Sequence, residues 1–208
     1  MDEDLNDLVE ELLKNAERVY ISKDPEEPFI LIDRGSEGLA FIAPRGGDSS
    51  SVVEIPLDRV ASLDEILQDS IGGYVDRDAI LTIGCGSQEE FYAHSWDVRR
   101  RGRRLYYGYN KFHYLLLIAR IYWCLSNWGQ LSLILRSFTG RVDRRTGLPI
   151  KQIRGFMLFY RDGLRLEKVS LEDLIEAETT DPETGEKLPP EPAVEYCYEY
   201  SCISSENL

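Results

Sequence analysis

A run of arginines followed by tyrosines is the feature of this sequence with the clearest chemical capacity. Five of the six residues from 99 to 104 are arginines, and Tyr106 and Tyr107 follow directly. Guanidinium groups bind phosphates through paired hydrogen bonds, and aromatic rings stack on unpaired bases. So many like charges repel one another unless an acidic group lies opposite. The spacing therefore indicates a surface that binds a polyanion or an acidic protein.

More basic residues follow in a predicted loop and in the strand after it. We expect them to join the same face, because that strand should pair with the central strand of the fold. Two alternatives remain open: the arginines pair with acidic segments of this chain, or the tyrosines pack in the core. The candidate site consists of Arg99, Arg100, Arg101, Arg103, Arg104, Tyr106, Tyr107, Arg141, Arg144, Arg145, Lys151 and Arg154.

The charge of the chain is segregated along its length. The net charge is −13, but residues 1–96 carry −15, residues 97–170 carry +12 and residues 171–208 carry −10. This asymmetry favours either a polyanionic partner or an acidic tail that lies on a basic face.

A glycine-containing stretch from Ala79 to Ser87 offers a different chemistry. It is an apolar run that ends in Gly84-Cys85-Gly86, and over nine residues it resembles the first motif of the Rossmann-type methyltransferases. The resemblance implies a strand followed by a cofactor-binding turn. Thr82 stands where that family usually has an acidic residue, and Gln88 where it has a third glycine. The alternative is a tight strand-to-helix turn.

Few residues are suited to catalysis or to metal binding. Only two histidines are present, and His94 lies near Cys85 and Asp97, so these three could form a nucleophilic set. His113 adjoins the apolar run, which favours a packing role. There is no P-loop, and the acidic clusters at 2–7 and 172–181 lack the spacing of a metal loop. We expect no cofactor, no metal and no catalytic residue.

The cysteines and the N-terminus bear on the location of the protein. Met1 is followed by acidic residues rather than by a signal peptide, and the longest apolar run is too short to span a bilayer. The four cysteines have neither disulfide nor zinc spacing, so we expect free thiols in the cytoplasm. They are Cys85, Cys124, Cys197 and Cys202.

The centre of the fold is predicted to be an apolar helix that leads into a strand. From Tyr114 to Leu125 only Arg120 is charged, which favours a buried helix over about 105–128. Beyond Gly129, leucines alternate at 131, 133 and 135, as in a strand with one buried face. The fold class expected is α+β, with antiparallel sheets packed on this helix, a C-terminal β-meander and a short capping helix.

Shorter elements are expected on the N-terminal side. A first helix is indicated by the spacing of Leu5, Leu8, Val9, Leu12 and Ala16. A meander of three or four antiparallel strands follows. A capping box at Ser62–Glu65 begins a short helix to about Ser70. The strands predicted here are Arg18–Ser22, Phe29–Asp33, Leu39–Ala43, Val52–Ile55, Ala79–Ile83 and Phe91–Trp96.

On the C-terminal side, Asp162-Gly163 should connect strands 152–160 and 164–169 in a hairpin. In that register Phe159 faces Leu166 and Met157 faces Lys168. Ser170 should cap a last short helix. We assign 1–178 to one α+β domain, with a sub-boundary near 72–78, and 179–208 to an acidic, Pro/Glu-rich linker and tail.

These patterns lead to two functional hypotheses. The first is a non-catalytic nucleic-acid-binding accessory protein, a subunit of a ribonucleoprotein complex, that binds RNA or single-stranded DNA through the Arg/Tyr segment. The second is an adaptor or regulatory subunit that uses the same arginines against an acidic protein. Neither hypothesis involves a membrane, and the oligomeric state stays open.

Overall fold

The computed structural model describes residues 13–22, 29–42, 52–87 and 89–208. Most of the predicted first helix lies outside these residues. The fold is α+β, as predicted, with predominantly antiparallel sheets on two sides of one apolar helix. No helix within the described ranges is long and apolar enough to cross a membrane.

A four-stranded antiparallel sheet precedes the central helix. It contains β1 (Arg18–Ser22), β2 (Ile30–Asp33), β3 (Leu39–Ile42) and β4 (Val52–Ile55), in the order β3-β2-β1-β4. The four predicted strands are confirmed, although β2 begins at Ile30 and Ala43 lies outside the described residues. Because β4 returns to pair with β1 rather than with β3, the order is that of a Greek key and not of a simple meander.

The next helix, α1 (Leu57–Glu65), begins earlier than the sequence predicted. It starts after Pro56 and continues into a π-helical turn (Ile66–Ile71) and a 3-10 turn (Gly72–Tyr74). The predicted capping box at Ser62 is wrong. The Ser62 hydroxyl donates to the Asp58 carbonyl oxygen at 2.9 Å, inside the helix, so it does not cap a helix start.

The second sheet carries the remaining strands, with the central helix α2 (Lys111–Trp128) and the short helix α3 (Leu171–Glu178) packed on it. Its order is β12-β11-β9-β8-β5-β6-β7, and β10 also pairs with β9. The strands are β5 (Asp78–Gly86), β6 (Phe91–Arg101), β7 (Arg104–Tyr107), β8 (Gln130–Val142), β9 (Pro149–Tyr160), β10 (Leu164–Lys168), β11 (Val194–Tyr198) and β12 (Ser201–Ser204).

Most of the central helix is buried, as its composition predicted, although its last turn is exposed. Toward the large sheet, Leu117 and Ile121 are fully buried, while Phe112 and Leu115 pack against the small sheet. Helix α2 begins at Lys111 and not near 105, because residues 104–107 form β7 and the Asn110 side chain caps the helix by accepting from the His113 amide. The alternating leucines of β8 face α2, which confirms that prediction.

The outer edge of β9 is shared by two strands of opposite direction. Strand β10 pairs antiparallel with residues 156–160 of β9, and β11 pairs parallel with residues 151–153. The predicted hairpin register is wrong by one residue: Leu166 lies opposite Leu158, because Arg161 joins Asp162 and Gly163 in the turn. The Ser170 cap is confirmed, since its hydroxyl accepts from the Asp173 amide at 3.2 Å.

The C-terminal segment adds strands to this sheet. Residues 179–208, which the sequence assigned to a linker and tail, include β11 and β12. Helix α3 and β11 bury Leu174, Val194 and Tyr196 against Ile153 of β9. The division of the chain into domains stays a prediction.

The expectation of free thiols is wrong. Cys85 at the end of β5 is bonded to Cys124 of α2, and Cys197 of β11 is bonded to Cys202 of β12. The first pair is 39 residues apart in sequence, so spacing gave no sign of it. The two disulfides fasten the central helix to its sheet and close the C-terminal hairpin.

The glycine-containing stretch belongs to a β-hairpin. Strand β5 is antiparallel to both of its neighbours, β6 and β8, which excludes a Rossmann βαβ unit. Gly86 has φ +109°, and a Cβ at this position would lie 1.9 Å from the Glu90 carbonyl oxygen. Since the chain turns into strand β6, the strand-to-helix turn is wrong as well.

The free edge of β7 is bonded to a side chain. The Gln68 amide nitrogen donates to the Leu105 carbonyl oxygen at 2.9 Å, and the Leu105 amide donates to the Gln68 side-chain oxygen at 2.9 Å. Gln68 therefore provides the donor and the acceptor that a neighbouring strand would provide.

Candidate nucleic-acid interface

The predicted arginine cluster forms the hairpin between β6 and β7. Arg101 pairs with Arg104 across a two-residue turn made of Gly102 and Arg103. Gly102 has φ +63°, a conformation that glycine adopts without strain. The strand prediction stopped at Trp96, whereas β6 continues through the arginines.

Strand alternation divides the cluster between two faces of the sheet. Arg99 lies opposite Tyr106, and Arg100 lies opposite Leu105. Paired residues in an antiparallel sheet project to the same side. Because Leu105 is buried in the core, Arg100 projects inward, whereas Arg99, Arg101 and Tyr106 project outward.

Arg100 has a structural role. Its Nε donates to the Val75 carbonyl oxygen at 2.6 Å, and its Nη2 donates to the Gly72 carbonyl oxygen at 2.7 Å. Its Nη1 donates to the Arg103 carbonyl oxygen at 3.3 Å. These bonds hold the 3-10 turn after α1 against the β6–β7 hairpin, and each of the three guanidinium nitrogens of Arg100 donates in one of them.

The other arginines of the hairpin are exposed. Arg99, Arg101 and Arg103 form no ion pair with any residue in the described part of the chain. The Arg101 guanidinium lies 5.9 Å from the centre of the Tyr106 ring, which is 45% exposed. Among the described residues, Arg104 forms an ion pair with Asp64 alone, at 3.9 Å, and because both side chains are partly exposed the pair contributes little.

Tyr107, in contrast, belongs to the core. It is 2% exposed, its ring stacks on Tyr114, and its hydroxyl donates to the Leu67 carbonyl oxygen. Burial raises the pKa of Tyr107. Its ring is therefore not at the surface where a base could stack on it.

The exposed arginines border an uncovered sheet surface, which we call the open face. It is the side of β5, β6 and β7 that points away from α2, and along β6 every residue on this side is exposed. Helix α3 covers the same side of β8, β9 and β11. The outward residues of β6 are Phe91, Ala93, Ser95, Asp97, Arg99 and Arg101.

The open face has an aromatic ring near each end. Phe91 is 67% exposed and lies over Gly84, where a Cβ would come within 3.0 Å of the ring. Tyr106 lies in the row of Arg99. Eight residues of extended strand place the two rows roughly 26 Å apart. This length suits the shortest single-stranded sites, of about four nucleotides.

Two carboxylates share this surface with the arginines. Asp78 lies directly opposite Arg99, and Asp97 lies on β6 one outward position before it. The charged side chains of the open face, basic and acidic, thus lie near its hairpin end.

The predicted site residues of β8, β9 and the loop between them are largely paired with the C-terminal segment. Arg141 pairs with Glu195, Arg145 with Glu206 at 3.7 Å, and Lys151 with Glu191 at 2.6 Å. Arg144 is exposed in the β8–β9 loop. Lys151 lies on the same side of the sheet as Arg99, three strands and roughly 14 Å away.

Arg154 is inside the protein and only 5% exposed. Its guanidinium lies 4.6 Å from the centre of the Tyr74 ring, and its Nε donates to the Glu199 carbonyl oxygen at 3.0 Å. Burial lowers the pKa of Arg154, and Tyr74, Tyr200, Asp76 and Glu195 oppose that shift. The twelve predicted residues therefore do not form one surface.

The Cys/His/Asp set does not come together. Cys85 is in a disulfide and offers no thiolate. His94 contacts Trp96 at 4.4 Å between ring centres, on the side of β6 opposite Asp97. Among residues 13–22, 29–42, 52–87 and 89–208, no group of three His, Cys, Asp or Glu side chains could hold a metal.

Sequence reasoning missed Phe91 as a surface residue and missed both disulfides. The alternation of β6 would have placed Phe91 on the same face as Arg99, had the strand been extended through the arginines. No comparable signal existed for Cys85 and Cys124, which only the packing of α2 on β5 brings together.

The chain matches no protein-family model, no curated protein and no solved structure.

Proposed function

We propose that this protein is a non-catalytic nucleic-acid-binding accessory protein, a subunit of a ribonucleoprotein complex, that holds single-stranded RNA or DNA on its open face. The observation that supports this most directly is the combination of Arg99, Arg101 and Arg103, without ion pairs in the described chain, beside the exposed ring of Tyr106.

Each part of the open face has a role in this proposal. The guanidinium groups at the hairpin end contact backbone phosphates. Tyr106 and Phe91 stack on unpaired bases at the two ends of the face. The smaller groups between them, such as Ser95, leave room for the chain of nucleotides.

The acidic C-terminal segment reduces the number of basic residues that are available to a ligand. It pairs with Arg141, Arg145 and Lys151, so these cations are partly neutralised before any ligand arrives. With a net charge of −13, the rest of the molecule repels phosphates. The phosphate contacts are thereby confined to the hairpin end of the open face.

An acidic protein partner is the second candidate, and one observation favours it. Five of the seven ion pairs among the described residues join a basic residue of segment 97–170 to a carboxylate of segment 171–208. The basic groups of this chain are thus already complementary to an acidic polypeptide. In this case the arginines and Tyr106 are interface residues of an adaptor.

The cytoplasmic location stays a prediction, and the two disulfides weigh against it. Disulfides persist in oxidising compartments and are rare in the cytosol.

The proposal is tested by fluorescence anisotropy with labelled single-stranded RNA, single-stranded DNA and a duplex at low salt. We expect the single strands to bind more tightly than the duplex. Affinity should fall with salt at a log–log slope of roughly −2, because about three phosphates are neutralised. Charge reversal in R99E/R101E should weaken binding by more than about tenfold.

The matched control is R161E/R165E, which makes the same change of charge away from the open face. Arg161 is exposed in the β9–β10 turn, and the exposed Arg165 pairs with Glu167 and lies over the Phe159 ring. This variant should bind within about twofold of the wild type. Absence of binding at low salt contradicts the proposal, and a co-purifying acidic protein that R99E/R101E releases would then support the adaptor.

A further inference from the structure

The exposed ring of Tyr106 has an arginine on one side and a carboxylate on the other. Tyr106 lies opposite Arg99, and the outward residues of β6 before and after Arg99 are Asp97 and Arg101. Both are diagonal neighbours of Tyr106, at roughly 7–8 Å, which is within reach of an aromatic ring. Opposite charges therefore border the ring along the direction of the strands.

Arg101 occupies one face of this ring. Its guanidinium lies 5.9 Å from the ring centre, in a cation–π contact. Because Asp97 and Arg101 lie on opposite sides of Tyr106 along the strands, the other face of the ring is directed toward Asp97. A base that stacks on this face has one edge beside the Asp97 carboxylate.

The Asp97 carboxylate is open to a ligand. It is exposed, and it forms no ion pair with any residue of the described ranges. The position opposite is Gly108, whose amide donates to the Asp97 carbonyl oxygen at 2.8 Å. Since Gly108 has no side chain, the space between Tyr106 and Asp97 on this strand is left for the base.

A carboxylate in this position discriminates between the bases by their hydrogen-bond donors. An ionised carboxylate only accepts, and its two oxygens match a pair of adjacent donors. Guanine has such a pair on its Watson–Crick edge, N1–H and the N2 amino group. Adenine and cytosine have one amino group beside a ring nitrogen that accepts, and uracil has one N–H between two carbonyl oxygens. These acceptors repel the carboxylate, so guanine fits best.

We propose that the open face selects a guanine, which stacks on the free face of Tyr106 and donates from N1–H and N2–H to the Asp97 carboxylate. This inference rests on the proposed function, because it names the base that the same site prefers. Arg99 and Arg101 contact the phosphates of adjacent nucleotides. The recognised edge is the same in RNA and DNA, so the preference extends to both.

The test measures fluorescence anisotropy at constant low salt with a short oligouridine and with the same strand carrying one central guanosine, adenosine or cytidine. The guanosine strand should bind at least about fivefold more tightly than the other three. The corresponding DNA strands should show the same order. Inosine, which lacks the N2 amino group, should lose most of this preference, whereas 7-deazaguanosine keeps both donors and should retain it.

Two matched variants assign the preference to one carboxylate. Asp97→Asn replaces one acceptor by a donor and should bring the affinities for the guanosine strand and oligouridine within about twofold of each other. Asp78→Asn removes the same charge from the same face, but Arg99 lies between Asp78 and Tyr106, so this variant should keep the preference. A carboxylate that merely repels phosphates would instead give the two variants equal effects.

The proposal is overturned by equal affinity of the wild type for the guanosine strand and oligouridine, or by a preference that inosine or Asp97→Asn leaves intact. The inosine comparison uses the wild type alone, so it decides the question even if a variant misfolds. Salt-dependent binding of every strand without a guanine preference overturns this inference and leaves the proposed function standing. No binding of any strand contradicts both.

Discussion

Adjacent arginines in the β6–β7 hairpin have different roles because a strand turns successive side chains to opposite faces. Arg100 donates hydrogen bonds to three backbone carbonyls. Arg101, on the other face, lies beside the exposed Tyr106 ring and forms no ion pair with a described residue. The sequence alone could not separate them, because five arginines in six residues show no periodicity. Only the register with β7 assigns each its side.

We expect Arg100→Met to lower the free energy of unfolding by about 2–4 kcal/mol, because three carbonyl oxygens lose a charged donor. The matched variant Arg101→Met should change it by less than about 0.5 kcal/mol. Urea unfolding monitored by circular dichroism measures both. Equal effects of the two substitutions would show that Arg100 is not a structural residue.

Two buried tyrosines make stability sensitive to alkaline pH. Burial raises the pKa of Tyr107, and burial together with the hydrogen bond to Asp64 raises that of Tyr114. Above about pH 10 the unfolded tyrosines lose their protons while these two keep them, so the folded state binds more protons. Their contribution to the free energy of unfolding is complete below about pH 10 and is lost as the pH rises above it.

The stability should therefore fall by about 1.4 kcal/mol per pH unit for each of the two tyrosines above pH 10. Urea titrations between pH 8 and 11 measure the slope. Tyr107→Phe/Tyr114→Phe should flatten it by the sum of both contributions, whereas the exposed Tyr109→Phe should not. A slope that is the same in all three proteins would contradict the assignment.

At the scale of elements, the hydrophobic pattern predicted the central helix and strand correctly. Local sequence signals predicted the ends of elements and the length of a turn incorrectly. The apolar run gave α2 and the alternating leucines gave β8, since burial on all sides or on one side leaves a clear period. The start of α2 was misplaced because Leu105-Tyr106-Tyr107 is apolar enough to extend a helix. The Asp162-Gly163 register failed because a turn signal does not fix the turn length.

The disulfides connect elements that no local pattern relates. In the chain-entropy view, a bond across 39 residues stabilises by about 4 kcal/mol and one across 5 residues by about 2 kcal/mol. We expect C85A/C124A and C197A/C202A to lose these amounts in denaturant unfolding. Alkylation of the unreduced, unfolded protein followed by mass spectrometry should add no label. Four labels would restore the free-thiol interpretation.

At the scale of the whole molecule, the basic residues of segment 97–170 divide into two sets, those that pair with the acidic C-terminal segment and those that do not. The acidic C-terminal segment lies on Arg136, Arg141, Arg145, Lys151 and Lys168, as one of the two alternatives expected. The hairpin arginines remain outside this pairing. Composition could predict attraction between the segments but not which cations it would reach, because that depends on β11 joining the edge of β9.

The pair formed by Gln68 and Leu105 has a consequence for how copies of the molecule meet at high concentration. A bare strand edge recruits a strand from a neighbouring molecule, and here one amide side chain occupies that position. Gln68→Ala should therefore give a mass that rises with concentration in light scattering after size exclusion. Ser70→Ala, an exposed change on the same turn, should stay constant. A single side chain would then separate a dispersed protein from one that polymerises edge to edge.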